Sequence, residues 1–244
     1  MRMRNKPWAK EKLNASKFYI QDPEGAKGRW KGYFANSNNP THLELGCGKG
    51  YFVKKAAIQN PKINYIAIDL IDAILGMANR NIIEEFNGKE PTNLLLTRYD
   101  VEEINNILDK TDNIERIYIN FCNPWPKPRH KKRRLTHTRQ LEKYKQFLKP
   151  NGEIYFKTDD DELFKESLEY FKEAGFETIK LTYDLGQEPN FWQNIETEHE
   201  IKFKSQGIKI KAGIFRKNCQ KAWQAVLPYG IIIKHIFFVK TKSV

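Results

Sequence analysis

Cysteine is scarce in this chain: three among 244 residues, an odd number with no Cys-x-x-Cys pair. That excludes a secreted disulfide scaffold and argues against a zinc finger. Long hydrophobic runs are missing as well. The longest apolar stretch, 225–239, contains Pro228, Gly230, Lys234 and His235, and it is too short and too interrupted to span a bilayer. The opening Met1-Arg2-Met3-Arg4 runs into polar sequence without the apolar core of a signal peptide. No internal repeat, low-complexity tract or long Pro/Gly linker divides the chain. His137 and His235 have no acidic or cysteine partners at ligand spacing, and Asp159-Asp160-Asp161 lacks the spacing of a calcium loop, so no metal is expected. A cytoplasmic protein with no membrane partner is the expectation, as a monomer or homodimer.

What is abundant is positive charge. Forty-two Lys and Arg stand against thirty Asp and Glu, a formal net charge of +12. Fifteen Phe, eleven Tyr and five Trp supply a large core, which argues against intrinsic disorder and for one generous domain or two small ones. The charge is concentrated. Residues 1–33 carry nine basic and three acidic side chains, and Lys127-Pro-Arg-His-Lys-Lys-Arg-Arg134 adds six basic charges and no acid. Trp8, Phe18, Trp30 and Trp125 lie in or beside these runs. Clustered cations interleaved with aromatics point to a polyanionic partner.

From residue 41 onward short apolar runs alternate with helical spacing. Strands are predicted at 41–45, 64–68, 93–97, 116–121, 153–157, 177–182 and within 200–214, with helices at 51–60, 72–87, 102–110, 139–148 and 161–174. This alternation predicts an α/β fold with a doubly wound, mainly parallel seven-stranded sheet covered on both faces. Ligands of such a sheet sit at the carboxyl ends of its strands. The chain divides into a basic N-terminal arm, 1–35, a domain, 36–217, and a tail, 218–244. In that tail 231–239 reads as an apolar strand to which no role attaches.

The first predicted strand ends in Leu43-Glu44-Leu45-Gly46-Cys47-Gly48-Lys49-Gly50. Glycines at alternate positions let the backbone turn sharply and approach a ligand closely. The loop is not a Walker A motif, since no Ser or Thr follows Lys49, and it misses the dinucleotide spacing by one residue. Asp69, at the end of the second strand, can accept from a ribose diol or cap the helix that follows. Asp100, after the third, can meet an exocyclic amine or act as a cap. Cys47 and Cys122 flank the site as small packing residues with no base nearby to make either a nucleophile. Together Glu44, Gly46, Gly48, Asp69 and Asp100 resemble the class I methyltransferases that bind S-adenosylmethionine. An acidic cluster suits a cofactor carrying a sulfonium and an ammonium, whereas a dinucleotide pyrophosphate wants positive charge.

The fourth predicted strand delivers Phe121-Cys-Asn-Pro-Trp-Pro-Lys-Pro-Arg-His-Lys-Lys-Arg-Arg-Leu135 to the same rim. Prolines flanking an aromatic ring hold a planar base well, and the cations after them suit phosphates, with His130 a donor among them. This segment closely resembles the bacterial single-subunit tRNA (guanine-N7)-methyltransferases, whose signature is Asp-Pro-Trp-Pro-Lys followed by His-x-Lys-Arg-Arg-Leu. The resemblance runs from the basic arm to about Lys217 and includes Phe156-Lys-Thr-Asp159 and Thr197-Glu-His-Glu200.

The resemblance implies methylation of guanine N7 in tRNA, at the variable-loop guanine, tRNA position 46, with S-adenosylmethionine as cofactor. It implies cofactor contacts from Glu44, Gly46, Gly48, Asp69, Asp100 and Asn123, and substrate contacts from Lys127, Asp159, Thr197 and Glu200. Asn123 takes the catalytic position where the family has Asp, and His199 stands where it has Tyr. Asn keeps one acceptor oxygen and loses the charge. Guanine N7 carries a lone pair and no proton, so its attack on a methyl carbon needs no general base, and an active enzyme is expected. Two rivals remain: an exocyclic-amine methyltransferase, suggested by Asn123-Pro124, and a catalytically silent RNA-binding module. Small-molecule methylation leaves the two basic blocks unexplained.

Overall fold

The computed structural model describes residues 6–188 and 190–218. Its strands are β1 (Tyr19–Ile20), β2 (Thr41–Leu45), β3 (Asn64–Asp69), β4 (Leu94–Arg98), β5 (Ile114–Asn120), β6 (Leu148–Thr158), β7 (Phe176–Thr182) and β8 (Lys211–Lys217). Its helices are α1 (Pro7–Ala15), α2 (Tyr51–Gln59), α3 (Asp72–Glu85), α4 (Thr138–Phe147), α5 (Asp161–Glu173) and α6 (Glu198–Ser205). The strands form one sheet in the order β1-β4-β3-β2-β5-β6-β8-β7. Pairings are parallel except those of β8, which runs antiparallel to β6 and β7. The order reverses at β2, which has β3 on one side and β5 on the other. Such a reversal opens a crevice beyond the carboxyl ends of the two central strands.

The central strands are short apolar runs because both their faces are covered: all five residues of β2 are buried, as are the first five of β3. α5 carries its apolar residues on one stripe, burying Leu163, Phe164 and Phe171, and Asp160 caps it by accepting from Leu163 N at 2.6 Å. Phe171 in turn stacks on Phe215 of β8 with centroids 3.7 Å apart.

The sheet has eight strands where the sequence pattern predicts seven, and the additional one comes from the arm. Two residues, Tyr19 and Ile20, pair with Leu96 and Thr97 of β4, too short a stretch to leave a period in the sequence. The arm is built into the domain. α1 lies against α3 so closely that a Cβ at Gly76 would stand 2.4 Å from the Ala9 Cβ. Leu13, Phe18, Ala26, Trp30 and Phe34 belong to the same core as the sheet. Trp30 is fully buried, and its Nε1 donates to the Ile107 carbonyl at 2.7 Å.

One further element differs from expectation, and the strand expected within 200–214 occupies only the end of that window. Segment 102–110, predicted as an α-helix, forms a 3₁₀ turn over Val101–Asn106. Val101, Ile104 and Ile107 are buried at a spacing of three, which suits a 3₁₀ turn as well as an α-helix. The window 200–214 begins with α6 and becomes strand only at Lys211. Glu200 is the only buried residue of α6, so the helix has no apolar stripe by which to announce itself. The expected strand at 231–239 lies outside the described residues.

Candidate active site

The glycine loop joins β2 to α2 at the order reversal. Gly46, Gly48 and Gly50 have φ of 73°, 54° and 75°, the left-handed region that glycine enters without steric cost. Gly46 N and Cys47 N both donate to the Ile68 carbonyl of β3, at 2.9 and 3.0 Å. Asp69 completes the tie: Gly48 N donates to Oδ2 at 3.0 Å and Ile71 N to Oδ1 at 3.1 Å. Burial raises the Asp69 carboxyl above its usual value, and these backbone N–H groups oppose the rise. Each oxygen keeps a lone pair for a further donor.

Glu44 lies under the loop. It is 2% exposed, and Asn120 Nδ2 donates to its Oε1 at 3.0 Å, while Oε2 is buried with no partner. Burial pushes the carboxyl up to about 8, against the pull of Asn120 and Lys157. A buried acceptor without a donor costs about 1–3 kcal/mol, which a cationic ligand would relieve.

Two cavities meet at this place. One, of about 250 Å³, is lined by Glu44, Gly46, Cys47, Gly48, Phe52, Met77, Asn120, Phe121, Thr197, Glu198 and His199. The other, of about 630 Å³, is lined by Gly46, Asp69, Tyr99, Asp100, Cys122, Asn123, Trp125, Arg133 and Leu135. Gly46 and Phe121 border both. The donor set fits S-adenosylmethionine. The unpartnered Glu44 oxygen suits the ammonium of its methionine end, the Asp69 carboxylate the ribose diol, and the apolar wall of Val101 and Leu135 beside Asp100 the adenine. Cys47 and Cys122 are packing residues of these walls, since burial keeps both thiols protonated, Cys122 at about 12.

Asn123 is exposed on the rim of the larger cavity, and its Oδ1 accepts from Trp125 N at 3.0 Å. On either side, Phe121 and Trp125 have φ of 52° and 43°. Non-glycine residues in the left-handed region are strained, and such strain clusters at functional turns. The Trp125 ring meets the edge of His130 at 5.7 Å and lies 5.3 Å from the Arg133 guanidinium.

The other expected residues are spread around this rim. Asp100 is exposed and accepts from Glu102 N at 2.9 Å, so it caps the 3₁₀ turn while bordering the cavity. Lys127 is exposed at the start of the 3₁₀ turn Pro128–Arg133. Asp159 is half-buried, with its carbonyl accepting from Lys211 Nζ at 3.0 Å. Thr197 is buried and caps α6, its Oγ1 accepting from Glu200 N at 3.1 Å. Glu200, expected among the substrate contacts, is fully buried, and both its oxygens are engaged. Lys157 Nζ donates to Oε2 at 2.7 Å and Asn194 Nδ2 to Oε1 at 2.7 Å. Burial would raise this carboxyl, but Lys157 and Lys204 hold it below its usual value.

The basic run is also divided in two. Arg134 is 1% exposed; its Nε donates to the Pro124 carbonyl at 2.6 Å and its guanidinium pairs with Glu166 of α5. Lys131 pairs with Glu162 and Glu166. Lys127, Arg129, Lys132 and Arg133 remain exposed. The composition of the run hides this partition, because the neutralising acids lie more than thirty residues away. Lys157, to which the sequence attaches no role, is buried and paired with Glu200. Its signal is a lysine inside the apolar strand Ile154-Tyr-Phe-Lys-Thr158.

Residues 38–212 match the family model described as "Putative methyltransferase". The tRNA (guanine-N(7)-)-methyltransferase of Clostridium botulinum (strain Eklund 17B / Type B) is 58% identical over 213 residues, 86% of this chain and 96% of that protein. The protein of the same name from Ruminiclostridium cellulolyticum is 51% identical over 237 residues, 96% of this chain and 99% of that one. Residues 219–244 are more than a tenth of the 244, so the second match must enter the tail, beyond Lys217. Among solved structures, the 16S rRNA methyltransferase KamB aligns with a TM-score of 0.54 at 12% identity, covering 88% of this chain and 95% of that one. At that identity it shows the shared fold alone. The sequence relatives show more: this chain belongs to the tRNA (guanine-N(7)-)-methyltransferase family.

Proposed function

We infer that the protein methylates N7 of a guanine in tRNA, using S-adenosylmethionine held across the two adjoining cavities, and that the variable-loop guanine is its target. The observation that carries this reading is the buried, unpartnered Glu44 oxygen beneath the glycine loop, next to a cavity that opens on Asn123 and Trp125. Bound S-adenosylmethionine supplies an electrophilic methyl carbon on a sulfonium.

The chain's own residues then have to align and exclude water. Glu44 would hold the methionine end of the cofactor and Asp69 its ribose. Phe121 and His199, stacked with centroids 5.8 Å apart, shield the junction of the two cavities. Asn123 shapes the turn that presents Trp125 and can orient a base through a neutral hydrogen bond, worth about 0.5–1.5 kcal/mol. Guanine N7 brings a lone pair and no proton, so no residue is needed as a base. Alignment of reacting atoms is the main contribution the protein must make. Lys127, Arg129, Lys132 and Arg133 on the rim, with the exposed lysines of the arm, offer sites for tRNA phosphates. A cytoplasmic site of action, where tRNA is present, accords with this substrate.

Incubation with labelled S-adenosylmethionine and unmodified tRNA transcripts, with and without the variable-loop guanine, tests the reading. Label should enter only the transcript carrying that guanine, and digestion should yield 7-methylguanosine. An N-methylated exocyclic amine would favour the Asn-Pro amine chemistry instead. Tight RNA binding with no cofactor binding in calorimetry would leave a silent module.

A further inference from the structure

Lys157 sits on β6 directly beside Asn120 of β5, the residue that holds Glu44. Its side chain is 2% exposed, and its ammonium makes three hydrogen bonds: to Glu200 Oε2 at 2.7 Å, Asn194 Oδ1 at 3.0 Å and the Ile195 carbonyl at 3.0 Å. An ammonium has three N–H donors, so all are in use. Asn194 is fixed from the other side by Trp192 Nε1, which donates to its Oδ1 at 2.9 Å. Glu200 also receives Lys204 at 3.1 Å. The network is closed, with every ammonium donor and both carboxylate oxygens of the pair committed inside the protein.

What the network holds is the far wall of the cofactor cavity. Thr197, Glu198 and His199 line that wall. Glu198 reaches Lys49 of the glycine loop at 3.1 Å, and His199 stacks on Phe121. The α6 helix that carries the wall has Glu200 as its only buried residue. A helix this short has little stability of its own and must be docked by something. Here the one fully buried anchor is a charge, flanked by a half-buried Phe203 that packs beside Phe121. Apolar replacement of such a pair is often neutral or stabilising, so its value lies in fixing a position.

We propose that Lys157 and Glu200 are a positioning pair, which holds residues 194–200 so that Thr197 to His199 close the methionine end of the cofactor cavity. Glu200 then serves the reaction through Lys157, from behind the wall, and makes no contact with tRNA. The proposal rests on reading the cavity as the cofactor site.

The test compares wild-type protein with Glu200→Gln, Lys157→Met and the double variant, measuring KM for S-adenosylmethionine and Kd for an unmodified tRNA transcript without cofactor. Each single variant should raise the cofactor KM tenfold or more while the tRNA Kd stays within twofold. The double variant should be no worse than the poorer single one, because the two side chains act as a unit. A tenfold rise in tRNA Kd with the cofactor KM unmoved would overturn the proposal, and so would single effects that multiply in the double variant. Where circular dichroism finds a single variant unfolded, Glu200→Asp, which keeps the charge at shorter reach, must give the same split; its absence overturns the proposal. Wild-type protein that binds no S-adenosylmethionine in calorimetry would overturn the cofactor reading itself, before any variant is made.

Discussion

Glu44 of β2 and Asn120 of β5 are diagonal neighbours across the two central strands, joined by one hydrogen bond of 3.0 Å that leaves the second Glu44 oxygen buried and unpartnered. The folded carboxyl is raised from 4.5 to about 8 by burial. The fold therefore favours its neutral form, and the stability this group contributes is fully present below 4.5 and lost as pH rises toward about 8. Cofactor binding runs the other way, since an ammonium prefers the ionised carboxylate. Affinity for S-adenosylmethionine should weaken about tenfold per pH unit below about 8, with about one proton released on binding at about pH 7. Calorimetry in buffers of different ionisation enthalpy measures both. Glu44→Gln should bind more weakly and flatten the profile, and a wild-type profile that is already flat between about pH 6 and 8 contradicts the assignment.

Asn123 has a local task that its exposure conceals. By accepting from Trp125 N, it holds a turn in which Trp125 takes a positive φ. Aspartate can accept the same bond, so Asn123→Asp should retain turnover within a few fold. Alanine cannot, and the loss of about 1 kcal/mol of turn stabilisation should lower kcat by roughly fivefold. Single-turnover methylation at saturating tRNA reads both, and a wild-type rate for Asn123→Ala removes Asn123 from the site.

The basic turn separates into two groups that substitution can tell apart. Replacing Lys127, Arg129, Lys132 and Arg133 together by alanine should flatten the salt dependence of tRNA binding, with the log–log slope falling by about 0.7 for each phosphate left without its cation. Cofactor affinity should not change. Arg134→Ala instead removes the buried guanidinium that ties Pro124 to Glu166. It should cost about 1.5–3 kcal/mol in urea unfolding, the range for hydrogen bonds to charged groups. If Arg134→Ala moves the salt slope as much as the rim substitutions do, the partition is wrong.

The parallel core is legible in the sequence because its strands are unbroken apolar runs separated by helical periods and because alternate glycines mark the turn at β2. Asp69 and Glu44 stand at fixed distances from that turn. Two kinds of feature escape. The arm announces itself by charge, yet most of its lysines are the exposed side of a segment whose Phe18, Trp30 and Phe34 are buried. α6 and its Glu200 escape because a helix whose one buried residue is a carboxylate has no apolar period. The acid that neutralises Lys157 lies 43 residues along the chain, and only the fold brings the two together.

Trp30 tests whether the first 35 residues are a detachable tRNA-binding arm or part of the domain. Its ring is fully buried, and its indole N–H satisfies the Ile107 carbonyl. Trp30→Ala should lose about 3–5 kcal/mol, as large-to-small core substitutions do. Trp30→Phe keeps most of the volume but leaves that carbonyl buried without its donor, a cost of about 1–3 kcal/mol. Urea unfolding followed by far-ultraviolet circular dichroism should rank the two variants in that order. Removing the arm altogether also strips β1 from the edge of β4 and α1 from α3, so the shortened chain should lose cofactor binding together with cooperative unfolding. A truncated protein that still binds S-adenosylmethionine and unfolds in one sharp transition would make the arm an appendage after all.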